Sequence, residues 1–84
     1  MHIKILGPGC ARCQQLEITV REVVRELGMN ATVEDVKDIN KIREYPILAT
    51  PGLVIDEKLV FYGRVPSKSE VTQIISEAQA EKEK

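Results

Sequence analysis

The spacing of apolar positions changes several times along the chain, and each change marks a new element. Residues 3 to 6, Ile-Lys-Ile-Leu, form a short apolar-rich run closed by Gly7-Pro8-Gly9. Such a run bounded by Gly and Pro predicts a strand followed by a tight turn. From Cys10 the period becomes helical: Cys13, Leu16, Val20, Val23, Val24 and Leu27 share one face. Glu17 and Arg21 stand one turn apart on the solvent side, with the acid first, the better orientation for a supporting ion pair. Gly28 supplies the C-terminal stop.

Residues 31 to 36, Ala-Thr-Val-Glu-Asp-Val, predict a second strand. Residues 38 to 44 carry a capping Asp38 and a short apolar repeat, a brief helix ended by Tyr45-Pro46. Thr50-Pro51-Gly52 is another break. Leu53-Val54-Ile55 and Leu59-Val60-Phe61-Tyr62 flank Asp56-Glu57-Lys58, which predicts an antiparallel hairpin. Ser67 and Glu70 form a capping-box signature ahead of Val71, Ile74, Ile75 and Ala78, the apolar face of a last helix. The order β-α-β-α-β-β-α makes this an α/β chain. Its first two strands should lie parallel with a right-handed crossover. Apolar central runs suit a four-stranded mixed sheet covered by helices on both faces.

Composition narrows the class. With 84 residues the chain fits one domain; residues 1–80 are expected to form it, and 81–84 a frayed, solvated tail. Hydrophobic residues at 43% and charged residues at 30% exclude a disordered chain. Twelve basic against 13 acidic residues leave a net charge of −1, without the basic excess of a nucleic-acid binder. No apolar run approaches the roughly 20 residues of a membrane span. The first residues, Met1-His2-Ile3-Lys4, lack the succession of a secretory leader. A cytoplasmic protein is expected, with no nucleic-acid and no membrane partner. In that compartment the two cysteines point to catalysis or metal binding rather than a structural staple.

Cys10-Ala11-Arg12-Cys13 carries the chemistry. A C-x-x-C pair at a strand-to-helix junction inside an αβ pattern is a sign of a redox site, because residues i and i+3 share one side of a helical turn. Cys13 continues the apolar stripe and should face inward. Cys10 precedes it, where free backbone N–H groups and the helix dipole favour a thiolate, and Arg12 adds a positive charge. Cysteines so placed have a pKa lowered from about 8.5 into the range of roughly 3.5–7.5. Cys10 is therefore the expected nucleophile and Cys13 the resolving thiol.

On these residues the chain resembles the thioredoxin/glutaredoxin superfamily, particularly its small single-domain prokaryotic members. Cys10 and Cys13 fall at the family's redox pair, Thr50-Pro51 at its cis-proline, and Gly63 at the glycine that often closes its fourth strand. The resemblance implies a thioredoxin-like fold and reduction of protein disulfides by dithiol exchange. It implies substrate contacts at Pro8, Gly9, Thr50, Pro51 and Gly63, with Ile47, Leu48 and Ala49 contributing an apolar docking rim. The expected partners are disulfide-containing client proteins and an upstream thioredoxin-reductase-like enzyme or small thiol. A monomer is expected, and no cofactor is required because the electrons reside on the two sulfurs.

Three departures stand out. Gly9 replaces the aromatic residue that usually precedes the first cysteine, and Lys4 stands where thioredoxins carry a buried acid. A carboxylate proton relay from the first strand is therefore not expected, and Glu34 or Asp35 on the second strand is the less favoured substitute. Ala11-Arg12 and Gly63-Arg64-Val65 differ from the Pro-Tyr and Gly-Gly-acidic motifs with which glutaredoxins hold glutathione. The alternative reading is a metal-binding or metal-sensing module using the same thiolates. Two cysteines do not complete a tetrahedral zinc set. The single histidine, His2, lies roughly 13 Å from the end of the first strand and does not readily complete the site; two subunits sharing four thiolates are one way to complete it. No resident metal is expected.

Overall fold

The computed structural model describes residues 1–82. Its elements are β1 (His2–Leu6), α1 (Ala11–Glu26), β2 (Thr32–Val36), α2 (Ile39–Ile42), β3 (Gly52–Ile55), β4 (Lys58–Tyr62) and α3 (Lys68–Lys82). The sheet order is β2-β1-β3-β4. As expected for strands joined through a helix, β1 and β2 are parallel, whereas β3 runs antiparallel to both β1 and β4. The expected order and mixed sheet are both present.

Alternation along the strands divides the core in two. Ile3 and Ile5 face the same side as Leu53 and Ile55, where Leu16, Val20 and Val23 of α1 and Val71 and Ile75 of α3 close over them. Leu6, Val36 and Val54 face the other side and meet Ile42 of α2, with Tyr45 and Ile47 packed at the margin. Helices therefore lie on both faces, but unequally. The second face has only a four-residue helix, α2, because its apolar repeat is too short to extend further. Lys4 and Glu34 lie on this thinner side.

The caps account for the boundaries. Cys10 is the N-cap of α1, with extended backbone at φ −69° and ψ 166°. Gly28 ends that helix region at φ +63°. Asp38 caps α2 by accepting the Asn40 N–H at 2.9 Å. Ser67 caps α3 by accepting the Glu70 N–H at 3.2 Å. The Glu70 carboxylate pairs with Arg64, so this half of the box is an ion pair to the preceding loop. The last helix continues through residues 81 and 82, into the expected tail; residues 83–84 lie outside the described residues. The β3–β4 hairpin turns on Asp56 and Glu57, at φ +49° and +68°. This primed turn matches strand twist and favours glycine or asparagine; a residue with a Cβ there costs roughly 1–2 kcal/mol.

Leu16 is fully buried, while Ile18, on the same helix, is 58% exposed. Leu16→Ala is expected to destabilise the protein by about 2–5 kcal/mol. Ile18→Ala should stay within about 0.5 kcal/mol of wild type. Urea unfolding midpoints measure both.

Candidate active site

The joint between β1 and α1 is shaped by what Gly7 lacks. It is buried and donates its N–H to the Val36 carbonyl at 3.0 Å. A Cβ at Gly7 would overlap Cys13 Sγ, lying 3.1 Å from Cys13 Cβ and 3.9 Å from Thr50 Cβ. Cys13 and Thr50 thus converge on one glycine. Beyond it, the Gly9 carbonyl accepts the Gln14 amide at 3.2 Å, and the Cys10 carbonyl accepts the Gln14 N–H at 3.0 Å. Cys10 Sγ accepts the Cys13 N–H at 3.2 Å, satisfying one of the helix's unpaired N-terminal donors. Cys10 is exposed and Cys13 is 5% exposed. The two form a disulfide with Cα atoms 5.1 Å apart.

The other wall comes from the opposite half of the chain. The Thr50–Pro51 bond is cis, as expected. The Pro51 carbonyl accepts the Gly63 N–H at 2.8 Å. Gly63 adopts φ +79°, a left-handed conformation that glycine takes without cost. The Gly63 carbonyl receives the Arg12 guanidinium at 3.5 Å. Arg12 therefore ties the first turn of α1 to the end of β4. Pro8 and Ala49 are exposed, and Leu48 is 87% exposed. Ile47 instead turns inward to the second-face core and over Gly52.

Glu34, Asp35 and Glu57 are arranged by face. Glu34 pairs with His2 at 2.9 Å on the thinner side. Asp35 faces α1 and meets Glu17, which Arg21 holds at 2.9 Å. Desolvation, reinforced by Glu17, pushes the Asp35 pKa up. Arg21 holds Glu17 below its ordinary range. Lys4 points to the thinner side, where hydrogen bonds to Glu57 and Tyr45 raise its pKa. The same bond from Lys4 holds the Glu57 carboxyl down. Sequence reasoning missed the roles of Gly7, Gln14, Tyr45 and Glu57. A lysine inside an apolar strand and a glutamate in a turn that favours glycine were the available signals. Among the described residues, no group of three or more His, Cys, Asp or Glu side chains gathers as a metal site. A groove lined by Ile55, Val60, Ile74 and Ala78 opens at the far end of β3.

A helix-capping sulfur that bonds to its neighbour one turn on, beside a cis-proline loop on this sheet order, places the molecule among the thioredoxin-like redox proteins. The thioredoxin-domain family matches residues 1–76. Thioredoxin from Methanothermobacter thermautotrophicus is 47% identical over 76 residues, covering 90% of this chain and 99% of its own length. Thioredoxin from Methanocaldococcus jannaschii is 39% identical over 71 residues, covering 84% of this chain and 81% of its own. The chain belongs to the thioredoxin family, and it is a thiol–disulfide oxidoreductase. Membership implies disulfide-bearing client proteins and a reductase that supplies electrons. No helix among the described residues is long and apolar enough to cross a membrane.

Two substitutions test this arrangement. Gly7→Ala should destabilise the protein by about 1–3 kcal/mol and slow closure of the Cys10–Cys13 bond, read by urea unfolding and thiol titration. Asp35→Asn tests the desolvated carboxyl. A folded-state pKa above the unfolded value contributes stability at low pH that is lost as pH rises through the folded pKa. Wild type therefore carries the penalty of an ionised Asp35 at neutral pH. Asp35→Asn should raise the urea midpoint at pH 7, with the gain shrinking as pH falls through the raised folded pKa towards the ordinary aspartate value of about 4, and no further change below it.

Proposed function

We propose that Cys10 is the nucleophile and Cys13 the resolving thiol in reduction of protein disulfides. The observation carrying this assignment is the contrast at one helix end: an exposed Cys10 whose Sγ accepts the Cys13 N–H, beside a Cys13 buried to 5% exposure. A backbone donor strengthens its bond to sulfur when the sulfur becomes anionic. The helix dipole acts in the same direction, and the Arg12 guanidinium adds positive charge to this end of the helix.

In the dithiol form, the Cys10 thiolate attacks one sulfur of the client disulfide. A Cys10–client bond forms, the client S–S bond breaks, and the first client sulfur leaves as thiolate. Cys13, losing its proton, then attacks Cys10 Sγ. The Cys10–Cys13 bond forms, the mixed disulfide breaks, and the second client sulfur leaves. Two electrons have passed to the client, whose thiolates take up two protons. The chain ends in the disulfide form. The backbone at Thr50, held by the Pro51 turn, pairs with an extended client segment in a short β-like contact. Pro8, Gly9 and Gly63 border that track. A thioredoxin-reductase-like enzyme or a small thiol returns the electrons. The protein acts in the cytoplasm as a monomer, with residues 1–80 as its working domain.

Insulin disulfide reduction with a chemical or enzymatic donor tests the assignment. Cys10→Ser should abolish turnover. Cys13→Ser should retain the first attack and accumulate a covalent client adduct, visible on non-reducing gels and released by dithiothreitol. Equal trapping by both variants would overturn the division of roles between the two sulfurs.

A further inference from the structure

On the thinner face of the sheet, three side chains from three separate segments close on one another. The Lys4 ammonium donates to Glu57 Oε1 at 2.6 Å and to the Tyr45 hydroxyl at 3.1 Å. The Tyr45 hydroxyl donates in turn to Glu57 Oε2 at 3.1 Å. The Lys4 side chain is 20% exposed, and its ammonium lies 5.8 Å from the centre of the Tyr45 ring. The triangle is a closed donor–acceptor circuit.

Its location matters more than its strength. Lys4 belongs to the strand that delivers Gly7 and Cys10. Tyr45 opens the segment that ends at Thr50–Pro51. Along that segment Pro46, Leu48 and Ala49 are exposed, the Ile47 N–H bonds back to the Tyr45 carbonyl at 2.8 Å, and Ile47 seats over Gly52. Fixing Tyr45 therefore fixes where this exposed segment begins relative to β1. Glu57 supplies a second observation. It sits at φ +68°, where glycine would be cheaper, yet both its carboxylate oxygens are engaged by the other two members. An unfavourable backbone conformation retained together with a fully used side chain points to a task for that side chain.

We infer that Lys4, Tyr45 and Glu57 are positioning residues that clasp the Tyr45–Pro51 segment to β1 and so hold the Thr50 backbone edge ready for polypeptide disulfides. The inference rests on the assignment of Thr50 as a client-pairing edge. Its consequence is substrate-selective. An extended polypeptide needs both the Cys10 sulfur and the backbone edge, whereas a small aromatic disulfide needs the sulfur alone.

Two variants remove the clasp in different ways. Tyr45→Phe keeps the ring in its core contacts and deletes the hydroxyl. Glu57→Gly deletes the carboxylate and relieves the left-handed backbone. Each is assayed on insulin and on 5,5′-dithiobis(2-nitrobenzoate), alongside thermal unfolding. The expected result is an insulin KM raised about three- to tenfold, the effect of one lost hydrogen bond. Insulin kcat and the rate on the small disulfide should hold at wild-type values, and Glu57→Gly should unfold no earlier than wild type. A purely structural triangle would lower stability and both substrates' rates together, and that outcome overturns the inference. So does an insulin KM unchanged in both variants, or a wild type active only on the small disulfide. A wild type that reduces neither substrate overturns the dithiol assignment itself, and the clasp's role with it.

Discussion

Cys13 has to meet two requirements that pull in different directions. It is the first member of the buried stripe of α1, ahead of Leu16, Val20 and Val23, and it must stay within bonding range of a sulfur at the surface. Both are met because Cys10 stops short of the helix. As N-cap, its extended backbone turns the chain, and its sulfur folds back over the first turn to meet the Cys13 N–H. Burial of each aliphatic side chain in the stripe contributes about 1.5–3 kcal/mol, which sets the rotation of α1. The reactive pair is thus aimed by the core, and the local turn only has to comply. Gly7 complies by having no side chain where Cys13 Sγ lies.

Strand register then brings the remaining parts of the site together. Leu6 lies opposite Gly52 across the β1–β3 ladder, so the residue before Gly52, Pro51, arrives beside the end of β1. Gly52 lies opposite Tyr62 across the β3–β4 ladder, so Gly63 arrives next to Pro51 and bonds its carbonyl. The site's segments, far apart in sequence, are adjacent because of these two pairings. A slip of one residue in either would also turn Leu53 or Phe61 out of the main core. The core that fixes α1 therefore fixes the register that assembles the site.

This explains which parts could be read from the sequence. The α1 stripe, the turn glycines, the hairpin and the α3 cap are local signals with definite periods, and each appears near its expected place. Cys10 and Cys13 announced themselves by spacing at a strand-to-helix junction. The cis form of Thr50–Pro51 came from family resemblance, since local sequence permits either isomer. Partner choice was not legible. Alternation puts Lys4 on the face opposite Ile3 and Ile5, but its partners lie 41 and 53 residues away. Likewise Glu70 satisfies a capping-box pattern while its carboxylate goes to Arg64, a choice made only once the loop before α3 is placed.

The geometry of the pair also bears on how the oxidoreductase cycles. The Cys10 and Cys13 Cα atoms are 5.1 Å apart. That is inside the usual range for a disulfide, about 4.4–6.8 Å, and it is also close to the ordinary spacing of residues three apart at a helix turn. The backbone that suits the bonded form therefore suits the open dithiol. Oxidation and reduction exchange one S–S bond for two thiols without asking α1 to move or the buried stripe to repack. The core's free energy is then common to both states and cancels from the redox equilibrium. What remains to set that equilibrium is local to the helix end: the N–H donor on Cys10 Sγ, the dipole behind it and the burial of Cys13. A stable fold and a freely cycling site are compatible here because they draw on different interactions.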